Sequence, residues 1–318
     1  MKLLVTGGAG FIGINFIGYM LTSHSDTEIV CLDALTYAAD EKSVRAFEKN
    51  KKFRFVRGDI RDRKAVDALF NEEHFDAVIN FAAESHVDRS IDCADDFMTT
   101  NIIGTQVLLD ACLKYGCIRF HQISTDEVYG DLPLDSDECF TENSPLRPSS
   151  PYSVSKASAD MLTLSYHRTY GLPVTISRCS NNYGPHQHKE KLIPLMIDRA
   201  LKNETLPVYG NGKNKRDWIH VTDHCRAVDL IIRNGAPGEI YNISTRNEPS
   251  NLEVIRKLLR LVERDERLIT FVEDRPGHDL RYAVDSSKIK NELGWRPLVD
   301  FEQGLRETVQ WYKEKISV

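Results

Sequence analysis

Short apolar runs alternate with longer amphipathic segments through the first half of the chain. A short run that is apolar at nearly every position is typical of a strand buried on both faces, whereas apolar residues that recur every three or four positions predict a helix. The pattern predicts strands over residues 2–5, 28–32, 53–56, 77–81, 119–124 and 173–178. It predicts helices over residues 12–23, 62–72, 99–115 and 153–170.

This alternation predicts an α/β fold in which helices cover both faces of a doubly wound, Rossmann-like parallel sheet. The pattern loosens after Ser180, where turn clusters at 181–185 and 209–212 precede helical stretches at 251–263 and 301–313. We interpret this half as a smaller mixed α/β lobe, with residues 218–232 returning to the main sheet. The predicted division gives residues 1–177 and 216–243 to the main domain and residues 178–215 and 244–318 to the lobe.

Composition narrows the functional classes. The formal net charge is -6, which argues against a nucleic-acid binder, and no run of about 18 apolar residues could form a membrane-spanning helix. The apolar stretch after Met1 is too short for a signal peptide. Seven scattered cysteines without a CxxC pair fit reduced thiols, so we expect a cytoplasmic protein with no disulfide framework and no metal. His186 and His188 are two residues apart, but no third ligand accompanies them.

A glycine-rich turn follows the first predicted strand. Gly7, Gly10 and Gly13 have GxxGxxG spacing, and Gly8 in place of Gly7 gives GxGxxG. Glycines at these positions allow a tight turn and let the backbone approach a pyrophosphate, which then lies at the N-terminus of the following helix. Because a strand precedes the turn and a helix follows it, the motif predicts a dinucleotide site.

Asp33 ends the next predicted strand, 20 residues after Gly13. A carboxylate at this position accepts hydrogen bonds from the adenosine ribose and repels the 2′-phosphate of NADP. No Arg follows directly in residues 34–36, so the predicted cofactor is NAD. Asp59, after the third strand, has two interpretations: a contact to the adenine or the N-cap of a helix.

Tyr152 and Lys156 form a YxxxK pair on a predicted helix. Residues four apart share a helix face, so we expect the ammonium near the phenol, where it lowers the phenol pKa and makes Tyr152 a general base. A surface Tyr–Lys pair is the alternative. Thr125, Asp126 and Glu127 favour catalysis, because they end a strand whose C-terminus faces the ligand crevice. A turn-capping Asp126 beside a solvated Glu127 is the competing interpretation.

Taken together, the glycine motif, Asp33, Ser124–Thr125 and the YxxxK pair resemble the extended short-chain dehydrogenase/reductase family. Residues 125–130 (TDEVYG) resemble its nucleotide-sugar 4,6-dehydratase branch. Three segments resemble the dTDP-glucose 4,6-dehydratase family, namely 82–90 (AAESHVDRS), 215–221 (KRDWIHV) and 274–279 (DRPGHD). The likeness covers nearly the whole chain. It implies an NAD-dependent lyase of deoxysugar biosynthesis that acts on the nucleotide-sugar dTDP-glucose.

The resemblance implies a role for each catalytic residue. Tyr152, supported by Lys156, removes the proton of the C4 hydroxyl while NAD accepts the C4 hydride, and Thr125 hydrogen-bonds O4. Glu127 then removes the C5 proton that the new carbonyl acidifies, and a protonated Asp126 donates to the departing C6 hydroxyl. The hydride returns to C6, which gives a 4-keto-6-deoxy sugar. Two adjacent carboxyl groups with opposite roles need pKa values that are pushed apart.

The resemblance also implies the contacts of both ligands. In the substrate pocket, Tyr209 lies against the base and Arg216 and Arg275 clamp the diphosphate, although a single Arg is also readily a solvated surface charge. The expected cofactor contacts are Gly7, Gly10, Phe11, Ile12, Gly13, Asp33, Leu35, Thr36, Asp59, Ile60, Phe81, Ala82, Ala83, Ser85, Thr100, Tyr152, Lys156 and Asn181. The expected substrate contacts are Ser85, Thr125, Asn182, Lys191, Leu192, Pro207, Tyr209, Arg216, Asn242, Arg275, His278 and Asp279.

The chain departs from the family's pattern at four places. Residues 186–189 (HQHK) replace an aromatic and proline-containing stretch, and Ser244–Thr245 stand where glycines are usual. The loop after Tyr37 lacks its usual glycine, and Ala34 replaces a Lys. These departures leave the catalytic residues in place but bear on the nucleotide base. A 4,6-dehydratase of UDP- or CDP-glucose is therefore an alternative.

Two further alternatives share the fold. A nucleotide-sugar 4-epimerase uses NAD, Tyr152 and Lys156 but has no need of Asp126 and Glu127. A non-catalytic NAD-binding regulator is expected to have lost these side chains, and all of them are present. The resemblance also implies a homodimer in which the helices over 99–115 and 153–170 form a four-helix contact.

Overall fold

The computed structural model describes residues 1–117, 119–274 and 278–316. Its strands are β1 (Lys2–Thr6), β2 (Glu28–Asp33), β3 (Phe53–Arg57), β4 (Ala77–Asn80), β5 (Arg119–Thr125), β6 (Val174–Cys179), β7 (Asn181–Tyr183), β8 (Leu206–Tyr209), β9 (Trp218–His220), β10 (Ile240–Ile243) and β11 (Ile269–Val272). Seven of them form one parallel sheet in the order β10-β6-β5-β4-β1-β2-β3. The strand order reverses between β1 and β4, which is where a doubly wound sheet binds its ligand.

Helices cover both faces of this sheet and build the lobe. They are α1 (Phe11–Ser23), α2 (Glu41–Arg45), α3 (Arg63–Glu72), α4 (Val87–Asp92), α5 (Asp95–Phe97), α6 (Thr105–Tyr115), α7 (Pro151–Tyr170), α8 (Leu192–Leu201), α9 (Val221–Asn234), α10 (Asn251–Leu261), α11 (Ser287–Leu293) and α12 (Phe301–Ile316). The predicted doubly wound fold is confirmed.

Alternating side chains along the strands enter two separate cores. Leu4 on β1 packs with α3 and α6 on one face, whereas its neighbours Leu3 and Val5 pack with α1 and α9 on the other. Because successive side chains of a strand point to opposite faces, a strand that is apolar at every position is buried on both. This explains why the apolar runs located the first six strands.

Two elements differ from the sequence prediction. Trp218–His220 was expected in the main sheet, but β9 pairs with β7 in a small separate sheet, and β10 is the seventh strand of the main one. Trp218 packs into the core of the lobe, which draws β9 away. The helix expected over 99–115 begins as a π-helix, Met98–Gly104, before α6. Within it the amide of Asn101 bonds the backbone of Glu84 and the hydroxyl of Ser155.

The lobe has a core of its own between α8, α10 and α12, with the β8–β11 pair at its side. Helix α9 packs on α1 against one face of the main sheet. Over the described part of the chain, no helix combines the length and the apolar character needed to cross a membrane.

Candidate active site

A cleft runs along the carboxyl ends of the main-sheet strands, between the sheet and the lobe. At its start, Gly7 has a φ of +66°, and a Cβ at this position would lie 2.5 Å from the backbone nitrogen of Ala82. A Cβ on Gly13 would lie 2.4 Å from the carbonyl oxygen of Gly7. Both positions therefore require glycine. Gly10 caps α1 without a side-chain hydrogen bond, and the first turn carries no acidic residue, so this helix end fits a pyrophosphate.

Asp33 ends β2 beside this turn and is 8% exposed. One carboxylate oxygen accepts the N–H of Ala9 at 2.9 Å, and the other accepts the N–H of Leu35 at 2.7 Å. Burial raises the pKa of Asp33, and these two hydrogen bonds oppose the effect. The carboxylate is thus fixed between the glycine turn and the next loop, where it fits the hydroxyls of an adenosine ribose.

The other expected cofactor residues surround the same cleft. Of these residues, Leu35 is the one that does not line the cleft. Its φ is +56°, and its backbone N–H donates to the Asp33 carboxylate. Asp59 pairs with Arg61 at 2.7 Å, and the N-cap of α3 is Asp62, so the capping interpretation of Asp59 is wrong. The cleft is lined by Gly7, Gly10, Phe11, Ile12, Gly13, Asp33, Thr36, Asp59, Ile60, Phe81, Ala82, Ala83, Ser85, Thr100, Tyr152, Lys156 and Asn181.

Thr125, Asp126 and Glu127 lie at the end of β5, in the wall of the cleft. The Thr125 hydroxyl accepts the N–H of Glu127 at 3.3 Å and starts the short 3₁₀ turn Asp126–Tyr129. Asp126 is 2% exposed, and among the described residues its Oδ2 has no hydrogen-bond partner. Glu127 is half-buried. The competing interpretation is therefore wrong, because Thr125 and not Asp126 caps this turn and Glu127 is half-buried rather than solvated.

The two carboxyl groups differ in their environment. Burial, followed by the charges of Glu127 and Asp217, raises the pKa of Asp126 well above its ordinary value, against an opposing effect of Arg216. A carboxylic acid that stays protonated at neutral pH can donate a proton, whereas its half-buried neighbour Glu127 has more access to water. The pair is arranged for one acid and one base.

Asp126→Asn tests this difference through stability. Folded Asp126 keeps its proton to a higher pH than the unfolded chain does, so the wild type loses stability relative to the variant as pH rises above about 4. Near neutral pH, we expect the free energy of unfolding of Asp126→Asn to exceed that of wild type by about 1–3 kcal/mol. Thermal and urea unfolding across the acid-to-neutral range measures it. A difference that does not grow with pH contradicts the raised pKa.

Tyr152 and Lys156 lie on the first turns of α7, behind Thr125. Pro151 and the capping box of Ser150 and Ser153 fix the start of this helix. Burial, Glu127, Cys179 and Asp126 raise the pKa of Tyr152 well above its ordinary value. The expectation that Lys156 lowers this pKa is not met, because the ammonium instead donates to the carbonyl of Ile123 at 2.6 Å.

Lys156 itself is 4% exposed, and burial lowers its pKa to about 8, against the opposing charge of Asp160. A buried network behind the site holds that charge. Asp160 Oδ2 accepts the Ser124 hydroxyl at 3.0 Å and the Arg178 Nε at 2.8 Å, and Arg178 also donates to the Tyr129 hydroxyl at 2.9 Å. The roles of Asp160 and Arg178 were not predictable from the sequence, since a buried ion pair between a helix and a strand leaves no local pattern.

The expected substrate residues fall into two groups. Ser85, Thr125, Asn182 and Lys191 line the cleft. The others lie in or beside the lobe: Leu192 begins α8, Pro207 and Tyr209 lie on β8, and His278 and Asp279 follow β11. Arg275 lies outside the described residues.

Arg216 and Asp279 meet near Asp126 and Glu127. The Arg216 guanidinium donates to the Asp279 carbonyl at 2.9 Å and lies over the Tyr282 ring at 4.5 Å. Tyr282, which the sequence analysis missed, donates to the Asp279 carboxylate, and its pKa responds to both Glu127 and Arg216. Only the chain fold brings these positions together.

Three expected or divergent positions have structural partners. Asn242 accepts the Tyr129 hydroxyl at 2.8 Å and donates to the Phe140 carbonyl at 3.3 Å, so its side chain lies away from the cleft. Ser244 and Thr245, which replace glycines, donate their hydroxyls to the buried carboxylate of Asp217.

In the described part of the chain, no group of three or more His, Cys, Asp or Glu side chains could hold a metal ion.

Comparison with known proteins places the chain in a family. Residues 4–308 match the model of the GDP-mannose 4,6 dehydratase family. The dTDP-glucose 4,6-dehydratase of Haemophilus influenzae is 49% identical over 98% of each chain, and the low-salt glycan biosynthesis protein Agl12 of Haloferax volcanii is 54% identical over 98% of each. DesIV, a dTDP-glucose 4,6-dehydratase of Streptomyces venezuelae solved with NAD bound, has a TM-score of 0.96 and 47% identity, covering 100% of this chain and 98% of that one. The chain therefore belongs to the GDP-mannose 4,6-dehydratase family and, within it, to the dTDP-glucose 4,6-dehydratases.

Proposed function

We propose that this protein is an NAD-dependent dTDP-glucose 4,6-dehydratase, a hydro-lyase that forms dTDP-4-keto-6-deoxyglucose and water. The observation that carries the proposal is the pair Asp126 and Glu127, one buried with a raised pKa and one half-buried, in the same cleft as Tyr152 and Lys156. An epimerase that only oxidises and reduces C4 has no use for a second acid–base pair. The site therefore favours elimination.

The cofactor site fits NAD on its own geometry. The two glycines that admit no Cβ and the uncapped start of α1 suit the pyrophosphate, and the fixed carboxylate of Asp33 suits a ribose without a 2′-phosphate. When bound, NAD supplies the hydride acceptor for C4, the donor for C6 and a positively charged ring near Tyr152. The chain's own residues supply the rest of the chemistry.

The proton steps follow from the side chains around the sugar. Tyr152 takes the proton of O4, and Thr125, at the end of β5, hydrogen-bonds the same oxygen. Since the C5–H of a 4-keto sugar is acidic, Glu127 removes that proton and later returns it to C5. Asp126 gives its proton to the C6 hydroxyl, which leaves as water. Elimination thus needs one neutral and one ionised carboxyl group, as the environments of these two provide.

Substrate recognition is proposed from both the cleft-lining residues and the lobe residues. Ser85, Asn182 and Lys191 line the cleft and are assigned to the sugar and phosphates. Arg216 is assigned to the diphosphate through its position beside Asp126 and Asp279. Tyr209 is 45% exposed, and its ring stands edge-on to His278 at 6.0 Å, which leaves a face for a pyrimidine base.

The nucleotide preference is tested by offering dTDP-, UDP- and CDP-glucose to the purified protein. We expect the 4-keto-6-deoxy product to form fastest from dTDP-glucose. Preference for UDP- or CDP-glucose would assign the chain to a different base, and a C4-epimerised product without loss of water would contradict the dehydratase assignment.

Assembly and location extend the proposal. Ile103, Val154 and Met161 are 47%, 40% and 64% exposed on the helices before β5 and β6, which suits burial in a homodimeric four-helix contact. Sedimentation as a monomer at micromolar concentration would argue against it.

All seven cysteines are free thiols, which fits the cytoplasm. The division into an NAD-binding domain (1–177 and 216–243) and a nucleotide-sugar lobe (178–215 and 244–318) is part of the same proposal.

A further inference from the structure

A short segment of the lobe, residues 185–191, crosses the cofactor side of the cleft; we call it the strap. Gln187, His188 and Glu190 of the strap line the same cleft as Asp33 and the glycine turn. The strap includes residues 186–189, where the chain departs from the pattern of its family. The loop that follows Tyr37 departs from the pattern too, and the structure brings these two segments into contact.

The contact is centred on the carboxylate of Asp40. The His186 ring nitrogen Nδ1 lies 3.1 Å from Asp40 Oδ2, and the Lys315 ammonium donates to the same oxygen at 3.0 Å. Lys315 belongs to the last turn of α12, which also contributes Trp311, whose ring centroid lies 4.8 Å from that of His186. We call Asp40, His186 and Lys315 the clasp. It joins three elements that are far apart in the sequence.

The charges of the clasp suit this contact. Burial acts to raise the pKa of Asp40, but hydrogen bonds from Ser43, Lys315 and His186 outweigh it and hold the pKa well below its usual range. Asp40 is therefore ionised at neutral pH. Burial lowers the pKa of His186, so the neutral ring donates its Nδ1–H to the carboxylate.

Asp40 is also attached to the phosphate-binding turn. Its backbone N–H donates to the carbonyl of Ala9 at 2.8 Å, while its Oδ1 accepts the N–H of Ser43 and caps α2. On the other side of the turn, the Asn15 amide of α1 donates to the carbonyl of Pro185 at 2.9 Å. The clasp thus ties the strap to the structure that fits the pyrophosphate.

The far end of the strap is held as well. The Lys191 ammonium donates to the Ser85 carbonyl at 2.9 Å, and the His188 ring stands edge-on to Tyr37 at 5.9 Å. The Arg89 guanidinium lies over the same Tyr37 ring, 3.6 Å from its centre. With both ends attached to the main domain, the strap closes the cofactor side of the cleft.

We propose that the clasp of Asp40, His186 and Lys315 holds the strap closed over bound NAD and so limits the rate at which the cofactor leaves. The inference rests on the proposed NAD site. In the proposed reaction the cofactor is regenerated in every turnover, so slow release costs the enzyme no activity. The clasp residues are cofactor-retaining residues, and they touch neither the sugar nor its reacting atoms.

The test measures the rate at which NAD dissociates from the full-length protein. Wild type and variants are loaded with NAD, freed of unbound cofactor, and mixed with a large excess of a second dehydrogenase that traps what is released. Asp40→Asn keeps the cap of α2, His186→Asn suits the positive φ of +68° at that position, and Lys315→Met removes an exposed charge. We expect each to release NAD about three- to tenfold faster, the range for a partly exposed ion pair or hydrogen bond.

Asp198→Asn is the matched control, because Asp198 pairs with Lys202 at 2.8 Å on the lobe surface and has a similar exposure of 28%, against 25% for Asp40. It is expected to release NAD at the wild-type rate. If Lys315 acts through Asp40, the double variant Asp40→Asn/Lys315→Met should release NAD no faster than Asp40→Asn alone. If the three clasp variants and the control all bind NAD and release it at equal rates, the clasp proposal is overturned and the proposed function stands. Failure of the wild-type protein to hold NAD overturns both.

Discussion

Glu127→Gln is expected to lower the rate of product formation by about 10²- to 10⁴-fold while C4 oxidation still proceeds, since general base catalysis contributes about that much. The amide keeps the shape of the side chain but cannot accept the C5 proton. Oxidised sugar and reduced cofactor should therefore accumulate on the enzyme. Rapid mixing with dTDP-glucose, followed by nicotinamide absorbance and by mass analysis of the quenched sugar, separates the two steps.

Glu138→Gln is the control for this substitution, because it makes the same chemical change at an exposed position. Its turnover should match wild type. Release of dehydrated product by Glu127→Gln at a normal rate would assign the C5 proton to another residue. Loss of C4 oxidation in the same variant would mean that Glu127 acts at the first step.

Tyr152→Phe is expected to abolish the first step, with product formation lowered by about 10²- to 10⁴-fold and no accumulation of reduced cofactor. The substitution removes only the hydroxyl, and the ring retains its edge-on contact with Phe97 at 6.3 Å. Absorbance of the nicotinamide in a single turnover measures the effect.

Tyr170→Phe makes the same change on the same helix, where the ring is 61% exposed. We expect it to react like wild type. The different signatures of the two catalytic variants matter most: Glu127→Gln stalls after oxidation, and Tyr152→Phe stalls before it. Identical behaviour of both would contradict the separation of roles between the phenol and the carboxylate.

The cofactor site was predictable because its signals are local. The glycine turn, Asp33 and the strand-end residues 125–127 each follow a short apolar run, and parallel strands end at one edge of the sheet. Placing Tyr152 and Lys156 beside them needed only the periodicity of one helix. The doubly wound fold followed from the alternation of strands and helices, without any knowledge of long-range contacts.

The electrostatics of the site depended on contacts that sequence does not encode locally. Burial and the charge of Glu127 raise the pKa of Tyr152, and the Lys156 ammonium donates its hydrogen bond to the Ile123 carbonyl. Whether Asp126 is buried could not be read from its position after Thr125. Asp217 and Arg216, which affect the pKa of Asp126, come from a distant part of the chain.

The strands outside the main sheet were predicted least well because they are short. Trp218–His220 has three residues and pairs with the three-residue strand Asn181–Tyr183, too few for a periodicity to assign a partner. The divergent residues posed a different problem. Ser244, Thr245 and His186 departed from the family pattern, and only the structure identified their partners, Asp217 for the first two and Asp40 for His186.

The central claim is that one cleft oxidises C4, eliminates water across C5 and C6, and reduces C6. Conversion of dTDP-glucose deuterated at C4, in ordinary water, tests it most directly through NMR and mass analysis of the product. The proposed reaction places the deuterium at C6 of a 4-keto-6-deoxy sugar that carries hydrogen at C5. Deuterium that remains at C4 of a sugar that has kept its C6 hydroxyl would contradict it.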